Sequence, residues 1–130
     1  MLKHYNIEAA MTDSPPSENL QYLSDVTVTA DHSLVRFHGR NNKGHYWYNY
    51  LYSEQELKPW VEKVDQIRKQ TKILRVYFNN HYGGRAVVNA LRFKAMIGDS
   101  LSETETNALE HAQKYLSNHG LITSSVFYTS

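Results

Sequence analysis

Apolar positions recur along the chain with two different spacings, and the changes from one to the other outline the fold. Residues 7–12, IEAAMT, form a short apolar run that ends at Asp13 and a Ser14-Pro15-Pro16 break. This predicts a buried strand followed by a loop. Residues 14–25 are polar and turn-rich, with one turn of helix expected around Leu20 to Leu23. Residues 33–39, SLVRFHG, predict a second strand closed by Gly39. The spacing then lengthens. Ser53 and Glu56 form a capping box, in which the hydroxyl accepts from the Glu56 amide and the carboxylate reaches back to the Ser53 amide. Leu57, Trp60, Val61, Val64 and Ile67 follow at helical spacing and give one apolar stripe. Pro59 sits inside this helix and is expected to bend it.

A third strand is predicted over KILRVYFNN, residues 72–80, which is rich in β-branched and aromatic residues. Gly83-Gly84 opens a second helix, with Ala86, Val87, Ala90, Leu91 and Ala95 expected on its buried side and Gly98 at its end. Ser102 and Glu105 repeat the capping box for a third helix, lined by Leu109, Ala112 and Leu116 and stopped at Gly120. A strand, a helix of about 17 residues and another strand make a βαβ unit, so the last two strands should run parallel.

Composition narrows the setting. The 130 residues suffice for one modest core. Apolar residues make up 41% and charged residues 21%, as in an ordinary globular domain. A net charge of +1 excludes a global field for nucleic acid or membrane, so anion binding has to come from a local cluster. With no cysteine there is no disulfide, thiolate zinc site or cysteine nucleophile. No apolar run approaches the ~20 residues of a membrane span, and MLKHYNIEAAMTD lacks the order of a signal peptide. The expected location is cytoplasmic.

Three segments carry a family resemblance: VRFHGRN (35–41), YNYLYSEQELKPWVEKV (48–64) and YFNNHYGGRAVVNAL (77–91), with a weaker match in HYNIEAAMTDSPP (4–16). The chain resembles the YecE-like family, domain of unknown function 72, whose members are TIM barrels. The resemblance implies an α/β fold: a partial TIM barrel of about three parallel strands, the last of the barrel, with flanking helices and an extra C-terminal helix. Residues 1–98 would be the barrel part and 99–130 a helical extension. A full barrel needs eight strands and ~250 residues. The chain therefore reads as a fragment whose sheet edges and apolar faces are open. That predicts a homo-oligomer, or a rearranged fold in which the third helix covers an edge.

Chemistry should lie at the carboxyl ends of the strands, where TIM barrels place their functional side chains and often bind phosphate. RFHGRN and FNNHYGG are then adjacent loops. Arg40 and Asn41 on the first, and Gly83, Gly84 and Arg85 on the second, make an expected anion cradle in which the glycine-opened helix offers its amides and dipole. The double glycine alone would only permit a tight turn. Asp13, His38 and His81, on successive strands, are the candidates for general acid–base work or for a divalent metal, though no metal is assigned. Arg36, costly inside a strand unless paired, should either meet Asp13 or point at a ligand. Asn79 and Asn80 disfavour strands and can orient a ligand or cap the loop. His45, Tyr46, Trp47, Tyr48, Tyr50 and Tyr52 form an aromatic loop that either stacks on a ligand, Tyr52 included, or covers the rim. Asn89 lies too far into its helix for the site. The pattern names no cofactor.

These residues fit a hydrolase-like barrel acting on a small anionic or phosphate-bearing ligand, nucleotide or nucleic acid among them. The alternatives are a non-catalytic module binding a phosphorylated ligand or single-stranded nucleic acid, and an inactive fragment. No membrane partner is expected.

Overall fold

The three apolar runs pair side by side. The computed structural model describes residues 1–15, 24–42 and 48–119. In it β1 (Ala10–Asp13), β2 (His32–Phe37) and β3 (Ile73–Phe78) form a parallel sheet in the order β1-β2-β3. The register sets Asp13 beside Phe37 and Phe37 beside Phe78, so all three strands end at one level. The ladder runs one step further. The His38 amide donates to the Asp13 carbonyl at 3.0 Å and the Asn79 amide to the Phe37 carbonyl at 2.7 Å.

Alternation along the strands gives the sheet two unlike faces. One carries Met11, Asp13, Ser33, Val35 and Phe37, all buried, together with Leu74, Val76 and Phe78. Phe37 lies at its centre, stacked on Phe78 at 4.5 Å and edge-on to Trp60 at 5.1 Å and Tyr52 at 5.4 Å. Full burial of such a ring contributes about 1.5–3 kcal/mol. The other face carries Thr12, His32, Leu34, Arg36, Ile73, Arg75 and Tyr77, none of them buried.

The helices lie over the buried face. Helix α1 (Glu54–Arg68) begins with the expected capping box at Ser53 and Glu56, and buries Leu57, Trp60, Val64 and Ile67. Pro59 is accommodated on its exposed side. Helix α2 (Arg85–Met96) follows a 3-10 turn at Tyr82–Gly84 in which both glycines take positive φ, +64° at Gly83 and +82° at Gly84. Its buried side differs from the expected alanine-rich stripe. Val88, Asn89, Arg92 and Phe93 are inside, whereas Val87 and Ala95 are exposed. The reason is tertiary: α2 is wedged between the sheet and a neighbouring helix, and two polar residues find partners there that helical spacing cannot reveal. Helix α3 (Glu103–Asn118) has its capping box at Ser102 and Glu105 and buries Leu109, Gln113 and Leu116. Leu109 and Leu116 cluster with Val88, so α3 packs on α2 rather than over a sheet edge. This corrects the alternative of a third helix closing the sheet. The expected turn at Leu20–Leu23, residues His45, Tyr46 and Trp47, and the stop at Gly120 lie outside the described residues.

Candidate functional site

Because the strands are parallel and in register, the segments that follow them meet at one rim. Arg36, from the last turn of the β2 ladder, donates through Nε to Asn79 Oδ1 at 3.4 Å, which joins the RFHGRN and FNNHYGG segments directly. Arg36 and His38 are two residues apart and belong to the uncovered side of the sheet. Asp13 and Phe37 belong to the helix side. Alternation thus divides the candidate residues into two groups with different work.

On the helix side Asp13 is saturated. Its Oδ1 accepts from Arg40 Nη2 at 2.6 Å and from Trp60 Nε1 at 3.1 Å. Its Oδ2 accepts from Arg40 Nε at 2.8 Å and from the Tyr52 hydroxyl at 2.7 Å. A carboxylate offers about four lone-pair sites, and all are in use. Burial raises the Asp13 pKa, but the Arg40, Tyr52 and Trp60 bonds outweigh it and hold the carboxyl below its ordinary value. The expected acid–base or metal role of Asp13 is therefore replaced by an organising one. Arg40 is likewise committed. Its Nη1 reaches Glu56 Oε2 at 3.3 Å, and the carboxylates hold its pKa above the ordinary arginine value despite burial. The pairing of Arg36 with Asp13 does not occur, because Arg40 takes that place. Tyr52 is fully buried, its hydroxyl accepting from the Gly39 amide at 2.9 Å, so it braces the rim. Burial, and then the Asp13 carboxylate, push its pKa up.

A second polar knot ties the two loops together. Asn89 accepts from the Tyr52 amide through Oδ1 and donates to the Tyr52 carbonyl through Nδ2, each at 2.9 Å, as a paired strand residue would. Asn80 Nδ2 donates to that same Oδ1 and to the Tyr50 carbonyl, both at 2.8 Å. Asn80 is fully buried, so it shapes the loop instead of meeting ligand. Asn41 donates to the Asn49 carbonyl at 3.2 Å. Arg85 folds back, with Nη1 on the Tyr82 carbonyl at 2.8 Å and the guanidinium 5.6 Å from the Tyr82 ring centre. Arg40 and Arg85, expected together in an anion cradle, thus each have intramolecular partners.

What faces outward at the rim is Arg36, His38, Asn79, His81 and the glycine turn before α2. Burial and the Arg36 charge lower the His38 pKa below its ordinary value, which keeps the ring neutral near pH 7. His81 is exposed, bonded through Nδ1 to the Asn79 carbonyl at 3.0 Å and stacked on Tyr48 at 5.1 Å. Among the described residues no group of three His, Cys, Asp or Glu side chains could hold a metal ion. None of their helices is long and apolar enough to cross a membrane. Sequence reasoning missed Trp60, Glu56 and Tyr50 as members of the Asp13–Arg40 network. Trp60 was legible only as part of an apolar stripe, although its indole N–H requires an acceptor when buried.

The geometry agrees with known proteins. The model of the family described as protein of unknown function DUF72 matches residues 1–114. The chain belongs to the DUF72 family. UPF0759 protein YunF of Bacillus subtilis (strain 168) is 40% identical over a 70-residue alignment covering 44% of this chain and 24% of that protein. The solved DUF72 structure from Thermotoga maritima is similar with a TM-score of 0.63 and 36% identity, over 75% of this chain and 39% of that one. A DUF72 structure from Enterococcus faecalis V583 gives 0.65 and 31%, over 76% and 40%. The chain thus spans about two-fifths of these solved relatives. Its three parallel strands and flanking helices are part of the family's TIM-barrel architecture. The DUF72 match runs through most of α3, past the boundary expected at residue 98.

Proposed function

We propose that the outward half of the rim is an anion site for a small phosphate-bearing ligand. One observation carries this reading. Arg36 is a guanidinium at the carboxyl end of a barrel strand, on the uncovered face, and among the described residues its contact is the neutral Asn79 at 3.4 Å, with no carboxylate inside 4.0 Å. Arginine offers five donors in a fork suited to phosphate oxygens. Asn79, already in contact with it, orients a ligand oxygen, and the helix behind Gly83-Gly84 turns its amino end to the same rim. His38, neutral near pH 7, is the residue available as a general base, and hydrolysis of a phosphate ester is the reaction class that fits. Asp13, Arg40 and Tyr52 hold the rim in shape. The absence of cysteine fits a reducing, cytoplasmic setting.

Isothermal titration with inorganic phosphate tests the site. Arg36→Ala should weaken binding at least tenfold, whereas Arg75→Ala, further down the same face, should leave it within twofold. Equal affinities for Arg36→Ala and the unaltered chain would remove the proposal. A second reading, binding of single-stranded nucleic acid, draws on the stacked Tyr48–His81 pair, a flat platform for a base. It requires a steep fall of affinity with salt, against which the net charge of +1 already weighs.

A further inference from the structure

Asn79 ties a cation to a flat ring. Its side-chain Oδ1 accepts from Arg36 Nε at 3.4 Å, and its backbone carbonyl meets His81 Nδ1 at 3.0 Å. A carbonyl only accepts, so His81 carries a hydrogen on Nδ1 and is anchored by that edge. The plane of the ring is held a second time. Tyr48, half-buried in the connection between β2 and α1, lies against it with ring centres 5.1 Å apart and planes 10° apart. The two rim loops thus build one platform, Tyr48 from the first and His81 from the second. Tyr48 covers one face of the imidazole. His81 is exposed, and among the described residues Tyr48 is its one ring partner, so the opposite face is open. Cation and platform are also close together. Oδ1 and the carbonyl oxygen belong to one residue and lie at most about 5 Å apart, which keeps Arg36 Nε and His81 Nδ1 within about 11 Å of each other.

We infer that the rim takes a monophosphate carrying a planar aromatic base, a nucleoside monophosphate, with its phosphate on Arg36 and its base stacked on the open face of His81. The inference rests on the anion site proposed above and names the class of ligand held there. A guanidinium alone does not choose among phosphates, since all of them present the same oxygens. The stacked pair does choose. An aromatic surface gains from a ligand that has a flat π face of its own, and gains nothing from a bare phosphate or a sugar phosphate of the same charge. Both elements lie within the span of one nucleotide, in which a single sugar joins phosphate to base. One nucleotide also fits better than a strand of them. Arg40 and Arg85 are engaged with Asp13, Glu56 and the Tyr82 carbonyl, which leaves Arg36 to meet one phosphate. A net charge of +1 offers a longer polyanion little more.

Isothermal titration of the full chain with three probes tests this: inorganic phosphate, ribose 5-phosphate and adenosine 5′-monophosphate. The quantity read is the ratio of the last two affinities, because those ligands share phosphate and sugar and differ in the base. In the unaltered protein the nucleotide should bind about fivefold tighter or more, the lower end of what one stacked base contributes. His81→Ala should bring the ratio to about one, and His81→Phe, which keeps a ring, should restore it. Arg36→Ala should weaken both ligands roughly tenfold and leave the ratio in place, since it removes a charged donor common to both. Phosphate and ribose 5-phosphate that bind while the nucleotide gains nothing would overturn the base platform and leave the anion site standing. Failure of all three probes to bind would remove the anion site and this inference with it. A ratio that survives His81→Ala would also overturn it. So would an oligothymidylate that binds more tightly per nucleotide than the monophosphate, with an affinity falling steeply with salt, which would assign the platform to single-stranded nucleic acid.

Discussion

Asp13 and Arg36 lie one register step apart on neighbouring strands and do opposite things. The Asp13 carboxylate has four donors and no capacity left, so its energy goes into the fold. Asp13→Asn removes the charge that Arg40 needs in a nearly dry place. A fully buried broken pair costs about 3–5 kcal/mol. Arg40 keeps 28% of its side chain exposed, so about 2–3 kcal/mol is expected here, measured by urea unfolding. The sign with pH follows from the lowered pKa. The folded state releases the Asp13 proton more readily than the unfolded chain, whose value is near 3.8. The stabilisation is complete above that value and is lost as pH falls below it. The unaltered chain should therefore lose more stability than Asp13→Asn between pH 5 and pH 2, taken as approximate limits of that window. Equal pH slopes for the two would show that Asp13 is not held in this way. Asn89→Leu orphans the amide and carbonyl of Tyr52 and removes one of the two acceptors of Asn80 Nδ2, with an expected loss of about 2–4 kcal/mol by the same measurement.

At the level of elements, the amino ends of the helices fix where the rim loops enter. Glu56 closes the capping box at Ser53 with one carboxylate oxygen and takes Arg40 and the Tyr50 hydroxyl on the other, so the start of α1 is fastened to the rim. Ser53→Ala should cost about 1 kcal/mol in thermal or urea unfolding, as should Ser102→Ala in α3. The two should be additive, since the caps share no partner. Gly84 is a different kind of position. A Cβ there meets nothing within 4 Å, yet φ is +82°, so Gly84→Ala is strained by backbone conformation alone and should lose about 1 kcal/mol. A neutral or stabilising result from differential scanning calorimetry would mean that the turn relaxes.

For the whole molecule the decisive feature is a sheet with one dry face. Among the described residues β2 has partners on both sides, while β1 and β3 each have one. Hydrogen exchange of the chain alone should therefore leave the β2 amides protected longest, with those on the outer sides of β1 and β3 exchanging at least tenfold faster, as open edges do. Uniform protection across all three strands would show that something already covers the edges. The family match and the likeness to two-fifths of solved DUF72 structures make this three-stranded sheet part of a TIM-barrel architecture.

The spacing of apolar residues, the two Ser–Glu capping boxes and the glycines at 83, 84 and 98 determined the strands, the helices and their order, because each of these signals acts within a few residues of itself. They also determined that RFHGRN and FNNHYGG would share a rim, since a strand, a helix and a strand can only pack back in parallel. The tertiary structure alone decided which arginine faces Asp13, that Tyr52 is buried brace instead of ligand platform, and that α2 buries Asn89 and Arg92 while exposing Val87. Those outcomes depend on partners far apart in sequence, such as Asp13 with Arg40, 27 residues on, and Tyr52 with Asn89, 37 residues on. A buried polar group goes wherever its hydrogen bonds can be met, and that is a property of the assembled neighbourhood, not of any local pattern.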